Sequence, residues 1–452
     1  MGRHISKDEM MCVFSYRATT VEVNVALAHI VKCRMCWTLA AEVVASLKRT
    51  KDLVPAKRGR PPELLFRDAR AALIVLMEIE EQESIGWLRA KGWWAELREL
   101  SPKEQSDKVH SVAAVHQLEV VETILREAKL LCARDPHSGE HLALTAHALV
   151  DHLPSGEFQV HLKNGLRLSA MTIIANCRRL AGNWPGSFAA ISRAKSYLSV
   201  GRIEPSQEAY LLSIHASLVG DTGKLEDALL LMSRATDIYK NAGDLKGLAT
   251  VKIKAADFLQ GAGNSSDAIM MAEDALTLLT PDCVRLAMLA RSIITENLVT
   301  LGRLPEALNS YETTKPLYDE MGDELTLFKA EYLEAKILDA LGHARESEKL
   351  FRSAIDGVTD MEIYRLSFLW RFAFFESLFK RNALGKAARL CEEGIDLLGT
   401  TDRVHPQMCQ VWRDLLAAVQ AEALKEAHLA EVRDYLVRHW ALPSRRAPFT
   451  AG

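Results

Sequence analysis

The chain has 452 residues, 48% of them hydrophobic, and a formal net charge of −3. That length can carry a large core and more than one domain, and the near-neutral balance argues against a general nucleic-acid binder. Eight cysteines scattered over the chain are not a disulfide framework, so a reducing cytoplasm is the expected setting.

Ala, Leu, Glu, Lys and Arg dominate and β-branched runs are short, which predicts an all-α protein. The longest notable apolar run, Ala71 to Met77, is stopped by Arg70 and Glu78, so it reads as a core helix face and not as a membrane span. Lys7, Asp8 and Glu9 stand where a secretory signal would need apolar residues.

Residues 1–50 are unlike the rest. Ser6 and Glu9 make an S-x-x-E capping box, so a first helix is expected to start just after His4. His29, Cys33 and Cys36 form H-x3-C-x2-C, with His29 and Cys33 one helical turn apart. Such an N/S set suits tetrahedral Zn²⁺, with His4 or Cys12 as the fourth ligand; the same cysteines could also be ordinary core packing. His4, His29, Cys33 and Cys36 together, as H-x24-H-x3-C-x2-C, resemble the zinc-binding anti-sigma factor domain of bacteria. That resemblance implies a small three-helix zinc-finger-like fold, with helices over Asp8–Tyr16, Val21–Val31 and Trp37–Lys48, these four residues as ligands, and a sigma factor or other transcription component as partner. The short acidic turn of that family is replaced here by Arg17-Ala18-Thr19-Thr20.

Residues 51–64 read as a basic Pro/Gly linker around Lys57-Arg58-Gly59-Arg60-Pro61-Pro62. Its R-G-R-P core is similar to a minor-groove hook, but a solvated linker accounts for it as well. Residues 65–118 are expected to form a helical N-cap region containing Trp87, Trp93 and Trp94. Helical repeats with a capping pair are expected over 119–441, followed by a disordered tail at 442–452. The first hairpin, Glu119 to His152, contains His137-Ser138-Gly139-Glu140-His141, a match to the H-x-x-E-H metalloprotease signature. Asp135-Pro136 is a natural N-cap and N1 pair, which puts these histidines in the first turns of a helix that Gly139 weakens, so catalysis is not expected there. Thr222-Gly223-Lys224 lacks the upstream glycine, the following Ser/Thr and the strand of a phosphate-binding loop.

From about Leu162 to Thr400 the chain repeats. Gly182, Gly223, Gly263, Gly302, Gly342 and Asn382 are 41, 40, 39, 40 and 40 residues apart. Five residues after each comes a small side chain: Ser187, Ala228, Ala268, Ala307, Ser347 and Ala387. Seven before each stand Ala175, Ala216, Ala256, Thr295 and Ala335, with Phe375 the exception. A Gly or Asn can take positive φ where one helix ends, and small residues let two helices approach closely. The pattern resembles the tetratricopeptide (TPR) repeat, although its period of about 40 exceeds the usual 34 or so. An α-α superhelix of helical hairpins is therefore expected, each hairpin burying its apolar face against the next.

Six residues before each turn stand Asn176, Ser217, Asp257, Glu296, Lys336 and Glu376, all polar on first helices that are otherwise mostly apolar. The TPR resemblance implies that this column lines the concave face and contacts a partner. The function expected is a non-enzymatic, regulatory scaffold in the cytoplasm that binds a protein or peptide. The alternatives are a plain TPR adaptor with a vestigial N-terminal domain, and a sensor of a small-molecule or peptide signal.

Overall fold

The computed structural model describes residues 5–14, isolated helical positions between 22 and 46, and residues 90–112, 117–153, 157–198, 203–321, 323–401 and 406–439. Two compact units divide between Leu100 and Ser101. In the first, helix α1 (Lys7–Phe14) starts with the expected cap: the Ser6 N–H donates to Glu9 Oε2 at 2.8 Å and the Glu9 N–H to Ser6 Oγ at 3.3 Å. Met10, Val13 and Phe14 are its buried face. Residues 90–97 are helical, with Trp93 and Trp94 half-buried. His4, Cys33, the linker 51–64, Trp87 and the tail 442–452 lie outside the described residues.

The second unit is an all-helical, TPR-like superhelix. It begins with α2 (Pro102–Ser111), capped by a reciprocal Ser101/Glu104 box, and α3 (Leu118–Leu131). Next come α4 (Pro136–His152), α5 (Glu157–Leu180), α6 (Trp184–Leu198), α7 (Pro205–Asp221) and α8 (Leu225–Ala242). The array continues with α9 (Leu245–Gly261), α10 (Ser265–Leu278), α11 (Val284–Thr300), α12 (Leu304–Met321), α13 (Glu324–Ala340) and α14 (Ala344–Asp360). It ends with α15 (Tyr364–Lys380), α16 (Leu384–Gly399), α17 (Pro406–Gln420) and α18 (Glu426–Arg438). Among the described residues none of these helices is long and apolar enough to cross a membrane.

All six predicted turn residues have positive φ, from 55° at Asn382 to 86° at Gly223 and Gly342. Each closes the preceding helix in the same way. The N–H of the next residue returns to the carbonyl four before the turn, as in Asn183 to Arg178 at 2.8 Å and Ala383 to Leu378 at 2.9 Å. This is the Schellman closure, which satisfies carbonyls that a helix end would leave orphaned. The small columns are buried throughout. Ser187 Oγ donates to the Ala175 carbonyl at 2.7 Å, and Ser347 Oγ repeats the bond to Ala335 at 2.9 Å. A serine at that seam fills the space of an alanine and still finds an acceptor.

The C-terminal repeats are built differently. Phe375 occupies the otherwise small position and is fully buried, at 6.1 Å from the Phe372 ring. Tyr332 stacks on Trp370 at 4.5 Å and Phe351 on Phe374 at 5.1 Å, while Trp412 of α17 lies against Phe368. The array also closes on itself. Arg438 at the end of α18 donates to the Gly223 carbonyl at 3.4 Å and reaches Glu226 at the same distance. Gly223 is needed there twice over, for its φ and because a Cβ would sit 1.9 Å from the Arg438 carbonyl oxygen.

Candidate functional site

The first helices of successive hairpins, α5, α7, α9, α11, α13 and α15, adjoin one another, the last pair through Tyr332–Trp370 and Ser377–Asp339, and carry the polar column. Asp221, buried at the end of α7, joins two of them across the ring: Arg179 of α5 reaches it at 2.6 Å and Arg365 of α15 at 2.5 Å. Asp221 is thus matched by two cations.

Each column residue has a definite environment. Asn176 is half-buried, donating Nδ2–H to Cys132 Sγ at 3.2 Å and accepting from Arg179 Nε at 3.1 Å. Ser217 is buried and is approached by Lys254 Nζ at 3.5 Å. Glu296 pairs with Lys336 at 2.8 Å and accepts from the Tyr332 hydroxyl at 3.5 Å. Burial pushes the Glu296 carboxyl up, but Lys336 and the hydrogen bonds from Lys336, Gln260 and Tyr332 outweigh it and hold it below the usual range. Glu376 is buried against Arg433 of α18, and there burial wins and raises its carboxyl pKa. The structure therefore brings together Glu296 with Lys336, while Asn176, Ser217, Asp257 and Glu376 each face other residues.

Asp257 is the most telling member. It is open to water and yet has protein around it on most sides, and it holds no hydrogen bond or ion pair among the described residues. Desolvation raises its pKa against the pull of Arg365 and Lys329, with Glu296 and Asp221 adding to the rise. One turn before it, Lys254 is pushed down to about 8 by desolvation and by Arg179 and Lys129, against Asp221. Lys329 is likewise lowered by desolvation, has Asp257 as its main attractive charge, and makes no hydrogen bond or ion pair among the described residues.

Several of these groups escaped the column. Their signal is helical spacing: Lys254 is three residues before Asp257, Arg179 three after Asn176, Asp221 four after Ser217, and Lys329 seven before Lys336. Each lies on the same helix face as its column neighbour. Arg365 and Arg433 had no such marker.

Of the expected zinc ligands, His29 is half-buried and helical and Cys36 is buried, whereas His4 and Cys33 are not described. Cys12 is exposed. In the H-x-x-E-H stretch, Asp135 accepts from the His137 and Ser138 N–H groups at 3.1 Å, as its capping role predicts. Glu140 is spent on Arg178 at 2.8 Å, and His141 contacts Gln105 at 3.0 Å.

No protein-family model matches the chain. No curated protein matches it either. Among solved structures it is similar to a Rap protein complexed with competence and sporulation factor, with 16% identity, 71% of this chain and 94% of that chain covered, and a TM-score of 0.51. It is also similar to aspartyl phosphate phosphatase F from Bacillus subtilis, with 12% identity, 89% and 97% of the two chains covered, and a TM-score of 0.52. At these identities the likeness establishes the fold, a TPR-like helical superhelix.

Proposed function

We propose that this chain is a non-enzymatic regulatory scaffold of the cytoplasm whose superhelix binds a short peptide, or a protein segment, on its inner face. The observation that carries the reading is a set of charges with no counter-charge in ion-pair contact among the described residues: the half-buried Lys254 and Lys329, whose ammonium groups desolvation pushes down, and the water-facing Asp257. Enclosing an ionic group without a partner costs stability, and a fold keeps such groups where a ligand supplies the counter-charge. Six cations (Arg179, Lys254, Lys329, Lys336, Arg365, Arg433) face four carboxylates (Asp221, Asp257, Glu296, Glu376). The excess favours a ligand with a free carboxylate, and Asp257 offers a place for a cationic group beside it. The fold relative solved with competence and sporulation factor adds support for a superhelix of this kind holding a ligand.

The column Asn176, Ser217, Asp257, Glu296, Lys336 and Glu376 is the partner surface in this reading. The test is calorimetric titration of the full chain with a pooled library of short synthetic peptides, made both as free acids and as C-terminal amides. Free acids should bind, and Lys254→Met should weaken them by about tenfold, as loss of one charge-assisted contact implies. Equal binding of acids and amides, or none of either, overturns the reading.

For residues 1–50 the proposal follows the anti-sigma resemblance: His4, His29, Cys33 and Cys36 would hold a structural Zn²⁺, and a sigma factor or other transcription component would be the partner of that module. The donor set, two imidazoles and two thiols, has the chemistry zinc prefers. About one zinc per chain, lost in Cys33→Ser without unfolding the superhelix, is the expected result.

A further inference from the structure

Two thiols meet behind the inner face. Cys132, which ends α3, and Cys177 of α5 are both buried, and Cys177 Sγ donates to Cys132 Sγ at 3.1 Å. Gly139 in the first turn of α4 makes room for them: a Cβ there would lie 3.1 Å from the Cys132 Cα and from the Cys177 Sγ. Glycine inside a helix costs about 1 kcal/mol against alanine, so the space is kept open at some expense. From the thiols a continuous polar chain leads inward. Asn176 donates to Cys132 Sγ at 3.2 Å, Arg179 donates to Asn176, and Arg179 and Arg365 share Asp221.

We propose that Cys132 and Cys177 form a redox-active dithiol that a hydroperoxide converts to a disulfide, and that the inner face senses its state through Asn176. The dithiol stands or falls without the peptide reading, although Asn176, which touches Cys132, belongs to the proposed partner column. The hydrogen bond from Cys177 favours the thiolate of Cys132; burial opposes it, and Arg179, the Asn176 amide and Lys254 support it, so the net pKa is lowered. Cys177 is pushed the other way, by its bond to Cys132 and by burial, and keeps its proton. Cys132 is then the attacking sulfur and Cys177 the resolving one.

In the first step the Cys132 thiolate attacks one peroxide oxygen. The O–O bond breaks, and the departing oxygen takes a proton and leaves as water, or as an alcohol from an organic peroxide. The Cys132 sulfenic acid is then attacked by Cys177 sulfur. The S–S bond forms, the S–O bond breaks, and the hydroxyl leaves as water with the Cys177 proton. With hydrogen peroxide, two thiols and one peroxide become one disulfide and two waters. A disulfide is about 2.05 Å long, so the sulfurs close by roughly 1 Å. The bridged sulfur is a poorer acceptor than a thiolate, so Asn176 loses its anchor beside Arg179.

The experiment treats the reduced full chain with hydrogen peroxide, alkylates it in denaturant and maps the cysteines by mass spectrometry. A Cys132–Cys177 link should form about tenfold faster than buried Cys391 is oxidised, as its thiolate character implies. Cys177→Ser should leave a Cys132 sulfenic acid that dimedone captures, and Cys132→Ser should give neither product. Amide exchange over residues 176–181 should quicken on oxidation in the parent and stay unchanged in Cys132→Ser. Peroxide that oxidises exposed Cys12 yet gives no Cys132–Cys177 link overturns the dithiol. A link that forms without change in exchange overturns the coupling to the inner face.

Discussion

The alanine-rich repeats α7–α12 and the aromatic repeats α13–α18 solve one packing problem in two ways. In the first, Ala216 and Ala256 stand where helices cross, and their smallness sets the approach. In the second, Ala335 of α13 keeps the small residue but Phe375 of α15 replaces it, and α13, α14 and α15 are spaced by the stacked pairs Tyr332–Trp370 and Phe351–Phe374. The charges differ in parallel. Glu376 of the aromatic half is satisfied by Arg433, and Lys336 by Glu296 of α11, whereas Asp257 and Lys254 on α9 have no ionic partner among the described residues. Lys329 is the exception in the aromatic half. The comparison teaches that a repeat can keep its turn while its interior packing and the pairing of its inner-surface charges change independently.

The comparison can be broken most directly at its equivalent positions. Phe375→Ala should cost about 3–5 kcal/mol in a denaturant melt, because the surrounding rings cannot collapse into the cavity. Ala256→Leu, at the same register, should cost about 1–3 kcal/mol for the opposite reason, overpacking of a close crossing. If Phe375→Ala is tolerated as well as an exposed substitution, the two halves do not differ in their interiors. A smaller loss, about 0.5–1.5 kcal/mol, is expected for Ser347→Ala, which deletes the bond to the Ala335 carbonyl but leaves the seam filled.

The charge side of the comparison is read from pH. The folded Lys254 pKa of about 8 lies below its unfolded value, so below pH 8 the enclosed ammonium carries its full cost. Lys254→Met should therefore raise stability at pH 7, by something on the order of 1 kcal/mol once solvent screening is allowed for. That advantage should shrink as pH climbs from about 8 toward 10.4, because the wild-type lysine then sheds its proton in the folded state first. A melt series of both proteins across that range shows the trend; an advantage that is flat with pH would mean that Lys254 is well solvated. The least effect belongs to Glu422→Gly, which relieves a non-glycine residue at φ 52° and should stabilise by under about 1 kcal/mol, offset in part by glycine's entropy.

The turns and seams were legible in the sequence because they are local: a Gly or Asn, a small residue five later and another seven earlier describe one hairpin and its Schellman closure. The column was legible for the same reason, and extending it by three, four or seven residues would have found Lys254, Arg179, Asp221 and Lys329. What could not be read were contacts whose partners come from distant repeats. Asp221 and Arg365 are 144 residues apart, and Glu376 and Arg433 are 57 apart on helices of different pattern. Cys132 and Cys177 meet because one hairpin stacks on the next, and nothing in their spacing marks them as neighbours. His4 and Cys33 of the expected zinc set lie outside the described residues.

The seat of α18 on Gly223 has a consequence for how this molecule can evolve. An open row of hairpins can gain or lose a copy at little cost, since each touches only its neighbours. Here the last helix must land on one particular turn some 215 residues upstream, with Arg438 over Gly223. Adding one hairpin between them would carry the end past its seat, and removing one would leave it short. The copy number is locked by a circumference, as the number of staves is locked in a cask, and variation is left to side chains.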